Sequence, residues 1–385
     1  MGQLLFSSLP MYVSGFWALL LLCSQIEKYS RTRLVLAMFM TITALLYYAH
    51  CVFFNEFYSM IPVSDTIYTF ATLAIYPMLY IFLVSMTSSP QRLRKLWVLL
   101  IPAFIFSATV GVLYSMMSEQ ETKEFVKQCL YDEQFFGHTG IYHHMAITHL
   151  VIKIVFAITV ISVQVAGMNK LVKYEHQIKS VYSNVEGKTL ISFKIFLYLF
   201  CFSSMASFIF NIVGRYNFEN TFWLLTLPSI VFSILIFILG LLGLRQAFTF
   251  ENMDAELQEI PPQPTTTETD KLHSEKLAIR IESVIEEKQL FRLPNLKVSD
   301  LAAQLYTNRL YISQAINSVM HLSFSDYINK KRIEYATQLI SEQPELPIAD
   351  IAYESGFASQ NSFYRNFKNF KGCSPKVYMR LGRKA

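Results

Sequence analysis

Charge is the scarcest property of this sequence. Of its 385 residues only 16% are Asp, Glu, Lys or Arg, against 53% apolar and 15% aromatic, whereas a soluble globular domain carries about 25% charged residues. A purely soluble enzyme does not have this composition. The deficit is also uneven, because the charged residues are concentrated in the last third of the chain. Cysteine is sparse and scattered: Cys23, Cys51, Cys129, Cys201 and Cys373 include no C-x-x-C pair, so neither a disulfide framework nor a structural zinc or other metal site is expected. No nucleophile elbow, P-loop or HExxH occurs in the apolar portion. The expectation is therefore a protein that is not an enzyme and needs no cofactor. A removable secretory leader is not expected either. No basic stretch precedes the first apolar run, and Leu22 is too large for the residue before a lipoprotein cleavage at Cys23.

What the sequence does have is long apolar runs. Stretches near 20 residues, enough to cross about 30 Å of hydrocarbon as a helix, lie at about 4–26, 34–54, 66–86, 97–117, 144–166, 191–213 and 221–244. Seven spans put the two termini on opposite sides of a lipid bilayer. The odd connections carry Lys28, Arg31 and Arg33, then Arg92, Arg94 and Lys95, then Lys170, Lys173, Lys179 and Lys188; the even ones carry only Lys123, Lys127 and Arg215. By the positive-inside rule the N-terminus is outside and the C-terminus cytoplasmic. Trp17, Trp97, Tyr114 and Trp223 near the span ends read as interfacial anchors, and Pro77, Pro102 and Pro228 as tolerated interruptions.

Ionisable groups in or beside apolar spans are costly and usually face the bundle interior. His50, His144, His149, Lys153 and Lys194 are such groups, and Lys194 is near enough to the cytoplasmic end to snorkel. His149 and Lys153 share a helix face one turn apart. With His50 they make a candidate sensor site for a small-molecule or ionic signal, and a polar network that merely fixes helix packing accounts for the same residues. The connection at about 118–143 holds Glu119, Glu121, Glu124, Asp132, Glu133, His138 and His143 without diagnostic ligand spacing, so a solvated loop is the simpler reading than a divalent-cation site.

After residue 248 the composition changes. Residues 249–275 are acidic and contain Pro261, Pro262 and Pro264 before three threonines, the makeup of a linker. From 276 the periodicity is that of soluble amphipathic helices: Leu277, Ile281, Val284 and Ile285 share a face. A short helix from Val298 to Leu305 precedes a turn and a helix N-capped by Asn308, with Tyr311, Ile312, Ile316 and Val319 inward and Arg309, Ser313, Gln314 and Asn317 outward. After a connecting helix from about Phe324 to Ser341 the pattern recurs. Pro347 to Ala352 begins a short helix, Gly356 turns the chain, and the next helix sets Phe363, Phe367 and Phe370 on one face, with Gln360, Asn361, Tyr364, Arg365 and Lys368 off it. A short helix, a tight turn and a second helix with a polar outer face is the shape of a helix-turn-helix, here at about 296–320 and 346–371.

These stretches, above all Ile351-Ala352, Gly356-Phe357, Ser362-Phe363, Phe367-Lys368, Gly372 and Ser374-Pro375, resemble the AraC/XylS-type DNA-binding domain over about 276–385. The resemblance implies two recognition helices placed in successive major grooves of double-stranded DNA. His321 departs from it, standing where the family usually ends the first recognition helix with glycine. Charge agrees independently: from Gly356 onward there are seven Lys and Arg residues, Arg365 to Lys384, and no Asp or Glu, which suits a phosphate backbone, although a basic tail near a membrane also suits anionic lipid.

The expected protein is all-α: a seven-helix transmembrane bundle (1–248), an acidic linker (249–275) and a cytoplasmic domain with two helix-turn-helix units (276–385). Its expected role is a transcription regulator of the bacterial cytoplasmic membrane, plausible as a homodimer. A transporter or membrane enzyme with a regulatory module is the alternative, and the absence of a convincing internal repeat counts against it.

Overall fold

The computed structural model describes residues 2–27, 29–88, 90–132, 134–213, 222–245 and 268–382. No β-strand occurs among the described residues, where an isolated antiparallel bridge pairs Tyr182 with Lys297. The chain divides into two compact units, 1–171 with 190–251, and 172–189 with 252–385. The second unit thus recruits a segment from the fifth connection, which no compositional signal marked.

The first unit holds α1 (Gly2–Glu27), α2 (Arg31–Phe54), α3 (Ile61–Thr87), α4 (Pro90–Leu96), α5 (Ile101–Met116), α6 (Glu119–Phe125), the first part of α7 (Gly140–Val181), α8 (Ile191–Val213) and α9 (Phe222–Arg245). Six helical stretches among the described residues are long and apolar enough to cross a membrane: Phe6–Glu27, Arg31–Phe54, Tyr58–Thr87, Leu93–Met116, Gly140–Val181 and Thr226–Arg245. The remaining expected span coincides with α8, whose apolar stretch Ile191–Ala206 is shorter. Helix α2 packs between α1 and α3, α9 against α1 and α8, and α5 against α3. Leu36, Phe39, Met40, Leu79 and Phe82 are fully enclosed, while Leu19, Phe104, Ile158 and Phe202 stand exposed on other faces. Helices that are apolar inside and out suit an apolar medium rather than water.

Pro102 stands in the first turn of α5, where a missing N–H breaks no helical bond, and marks the point at which a 3-10 turn (Trp97–Leu100) gives way to α-helix within the stretch Leu93–Met116. Two expectations are corrected here. Trp17 is no interfacial anchor: it is 3% exposed and packs edge-on to Phe237. A Cβ on Gly240 would lie 2.3 Å from the Trp17 ring, so glycine is what lets α9 approach α1. Tyr114 is likewise buried, its hydroxyl donated to Asp65.

The second unit comprises residues 172–189, α10 (Glu268–Glu287), α11 (Val298–Leu305), α12 (Arg309–Val319), α13 (Phe324–Glu342), α14 (Ile348–Glu354), α15 (Gln360–Lys371) and α16 (Pro375–Gly382). Helix α10 begins at Glu268, so the end of the expected linker is helical; its proline run lies outside the described residues. Leu277, Ile281 and Ile285 of α10 are buried, as are Leu301, Leu305, Ile312 and Ile316 of α11 and α12. A second cluster gathers Ile333, Ala336 and Leu339 of α13 with Ile351, Ala352, Phe357, Phe363 and Phe367. Helix α13 therefore serves both halves, and Lys331 ties it to α10 by donating to Glu282 at 2.8 Å and Glu286 at 2.5 Å. Tyr311, Val319 and Phe370, expected inside, are 44%, 39% and 38% exposed. Ala315 is buried on α12 instead, alongside Ile312 and Ile316.

At the centre lies Arg332, 1% exposed. It donates from Nε to the Phe291 carbonyl and from Nη2 to the Leu293 carbonyl, both at 2.7 Å, and to Asn329 Oδ1 and Ser183 Oγ, both at 3.1 Å. Burial pushes its pKa down to about 10, so it stays charged at neutral pH and depends on these acceptors.

Candidate nucleic-acid interface

Two helix pairs with a tight turn stand on either side of α13. In the first, α11 ends at Tyr306 in a left-handed conformation (φ 50°), and Asn308 caps α12 by accepting from the Leu310 N–H at 3.0 Å. In the second, the turn after α14 is made at Gly356 (φ 86°), where a Cβ would lie 2.6 Å from Arg292 Cα and the Phe291 carbonyl oxygen. Ser359 then caps α15 by accepting from the Ser362 N–H at 3.1 Å, and Gly372 (φ 74°) ends it.

Helix α15 is sharply two-faced. Phe363 and Phe367 are fully buried, whereas Gln360, Asn361, Tyr364, Arg365 and Lys368 are all exposed. Those five candidates therefore form one polar, basic surface, extended by exposed Lys371, Lys376 and Arg380. Amides and guanidinium groups offer the paired donors and acceptors that match adenine and guanine edges, and lysine matches phosphate. The first pair differs. Asn317 is exposed, but Arg309, Ser313 and Gln314 are half-buried, and the Ser313 hydroxyl donates to the Ser180 carbonyl at 3.3 Å.

In the first unit the sensor candidates do not converge as a trio. His149 is buried, with Nε2 2.9 Å from Asp65 Oδ2 and Nδ1 3.1 Å from the Met145 carbonyl. Tyr114 donates to the same Asp65 oxygen at 2.9 Å. His50 sits instead among the rings of Tyr47, Phe54 and Tyr68, with centroids 5.3 to 5.9 Å away. Lys153 lies over the Phe135 ring at 4.6 Å. Asp65 is the residue that sequence reading missed. Its carboxylate falls one position before the expected start of the third span, and a search for charges at span edges finds it.

Two acidic residues of the 118–143 connection have local duties: Glu119 pairs with Lys123 at 2.6 Å, and Glu121 closes a capping box with Ser118, while Glu133 lies outside the described residues. His138 stacks on Tyr142, with centroids 4.1 Å apart. Among the described residues no group of three or more His, Cys, Asp or Glu side chains is placed to hold a metal ion.

Comparison with known proteins bears on the second unit. Residues 301–381 match the family described as a helix-turn-helix domain. The melibiose operon regulatory protein of Escherichia coli is 34% identical over 86 residues, 22% of this chain and 28% of that protein. The Msm operon regulatory protein of Streptococcus mutans is 33% identical over 84 residues, 22% of this chain and 30% of that one. The TCP pilus virulence regulatory protein of Vibrio cholerae is 34% identical over 85 residues, 22% and 30% of the two chains. The similarity thus spans less than a third of these relatives' own length. No solved structure matches the chain. With the helix-turn-helix geometry and the basic face of α15, these similarities identify the C-terminal part of the chain as an AraC/XylS-type helix-turn-helix domain, the DNA-binding domain of transcription regulators.

Proposed function

We propose that the chain is a membrane-embedded, one-component transcription regulator of a bacterial cytoplasmic membrane, in which a seven-helix bundle (1–248) controls a cytoplasmic DNA-binding domain (276–385). The observation that carries this reading is the pairing, in one chain, of helices long and apolar enough to cross a bilayer with a two-faced basic helix. Both helix pairs engage double-stranded DNA. Arg365, Gln360 and Asn361 read bases in one major groove; Gln314, Asn317 and Ser313 do so in the next. Arg309 and Lys368 meet phosphate, and Tyr364 packs beside the groove. A homodimer would double the recognised site.

Within the bundle, the hydrogen-bonded group of Asp65, His149 and Tyr114 is the polar centre that a small-molecule or ionic signal would disturb. Two bundle states that present the DNA-binding domain differently would carry the response.

Two measurements test the reading. The full chain in nanodiscs, offered a random-sequence duplex pool, is expected to enrich a defined motif, with affinity falling steeply as salt rises. A reporter fused after Ala385 is expected to be active only in the cytoplasm. Uniform retention of all sequences, or a reporter active only outside the cell, would overturn it.

A further inference from the structure

We propose that residues 172–189 form an internal strap that competes with DNA, so that the docked strap is the DNA-free state and the duplex binds only after it lifts. This rests on the DNA-binding reading above and adds its control element. The strap crosses both helix pairs and the helix between them. At its start the Ser180 carbonyl accepts from Ser313, a proposed base reader, at 3.3 Å. In the middle the Ser183 N–H donates to the Leu296 carbonyl at 3.0 Å, and its own carbonyl accepts from Ser325 at 3.0 Å and Asn329 at 3.3 Å. Arg332 donates to Ser183 Oγ, and Asn184 donates to Asn295 Oδ1 at 3.2 Å. At its end Glu186 accepts from the Ser359 hydroxyl at 2.5 Å.

That last contact identifies what the strap displaces. Ser359 is the N-cap of α15. A helix N-terminus gathers unpaired N–H groups and the positive end of the helix dipole, and so attracts anions. A duplex laid along Gln360, Asn361 and Arg365 brings its phosphates to this end of the helix. Glu186 holds a carboxylate there already, as a stand-in for phosphate. Once phosphates arrive, that carboxylate is repelled, and Ser313 cannot both donate to Ser180 and point freely at a base edge. Strap and duplex therefore exclude each other on steric and electrostatic grounds. The strap begins within α7: residues 172–181 are the last turns of that helix, whose earlier residues, to Leu171, belong to the bundle. A change in the bundle has a covalent route to it.

The test uses the full chain in nanodiscs and the duplex motif that it enriches from a random pool. Asn184→Cys with Asn295→Cys, bridged by a short bis-methanethiosulfonate, holds the strap down; dithiothreitol releases it. Bridging is expected to weaken duplex binding by at least about fivefold, the lower end of ordinary intramolecular coupling, and reduction to restore it. Wild type and each single cysteine variant, treated alike, should be unaffected. Glu186→Ala should tighten binding, while Glu175→Ala, which removes the same charge elsewhere on the strap, should not. If the bridged chain binds the motif as tightly as the reduced one, the strap is a passive brace and the competition is overturned, with DNA reading intact. If the reduced chain enriches no motif at all, the DNA-binding reading fails and the strap proposal falls with it.

Discussion

The two helix pairs of the C-terminal domain solve the same problem with different materials. The second makes its left-handed positions from glycine, Gly356 and Gly372, and leaves every outward candidate on α15 exposed. The first places Tyr306 and His321 at φ near 50°, and three of its four outward candidates are half-buried. A side chain in the left-handed region costs about 1–2 kcal/mol. The second pair is thus the relaxed one, with its surface free for a partner, and the first carries strain and a half-covered face. On the DNA-binding reading proposed above, the difference predicts a division of labour in which α15 dominates recognition and α12 contributes once uncovered.

The largest expected effect tests whether the halves are separate bodies. Phe367→Ala empties a fully buried site in the second cluster and should cost about 3–5 kcal/mol. Hydrogen exchange on the full chain should show lost amide protection in α14, α15 and the second half of α13, with α11 and α12 retained. Equal loss across both pairs would mean that α13 joins them into one cooperative unit and would dissolve the contrast.

Next is Arg332→Met. This keeps the side chain's bulk but leaves the Phe291 and Leu293 carbonyls without their donor, at about 1–3 kcal/mol for stranding buried acceptors. Both halves should lose protection together, since Arg332 reaches Ser183, Phe291 and Leu293 from the shared helix. The two substitutions therefore separate local from shared stability.

Recognition gives the third comparison. Arg365→Ala should cost about 1–3 kcal/mol of affinity for the selected motif and relax base preference at one position. Gln314→Ala should cost less in the full chain and approach the same loss in Glu186→Ala, where the strap is weakened. Duplex titration at fixed salt ranks them. A larger loss for Gln314→Ala in the unaltered chain would reverse the division of labour.

Much of this was legible from the residues, for identifiable reasons. Long apolar runs announce their helices because length and composition suffice. The face of α15 announces itself because Phe363 and Phe367 recur at helical spacing and everything opposite is polar. Expectation failed where a partner distant in sequence decides the outcome. Trp17 reads as an anchor until Gly240 admits it to the interior. Asp65 draws no reading at all, because its role exists only through His149 and Tyr114. Ser183 and Glu186 carry no local signal, because their role exists only through Arg332 and Ser359, well over a hundred positions later. Tyr311, Val319 and Phe370 show the limit of periodicity: the pattern marks a face, but a small domain has room to bury only its centre.

The smallest effect concerns His321, whose exposed side chain sits at φ 55° after α12. His321→Gly removes the left-handed strain but loosens the unfolded chain, an offset of about 0.4–1 kcal/mol. The net expectation is a gain of about 0.5–1 kcal/mol, measurable as slower exchange at the C-terminal amides of α12. His321→Ala keeps a Cβ and should gain nothing, which separates backbone strain from loss of the imidazole. In the second pair Gly372→Ala runs the comparison backwards: a Cβ there meets no atom within 4 Å, so the cost comes from φ 74° alone, about 1 kcal/mol in the opposite direction. If His321→Gly gave no gain while Gly372→Ala showed its loss, the first pair would have adapted its cap to the larger residue, and strain would no longer distinguish the two halves.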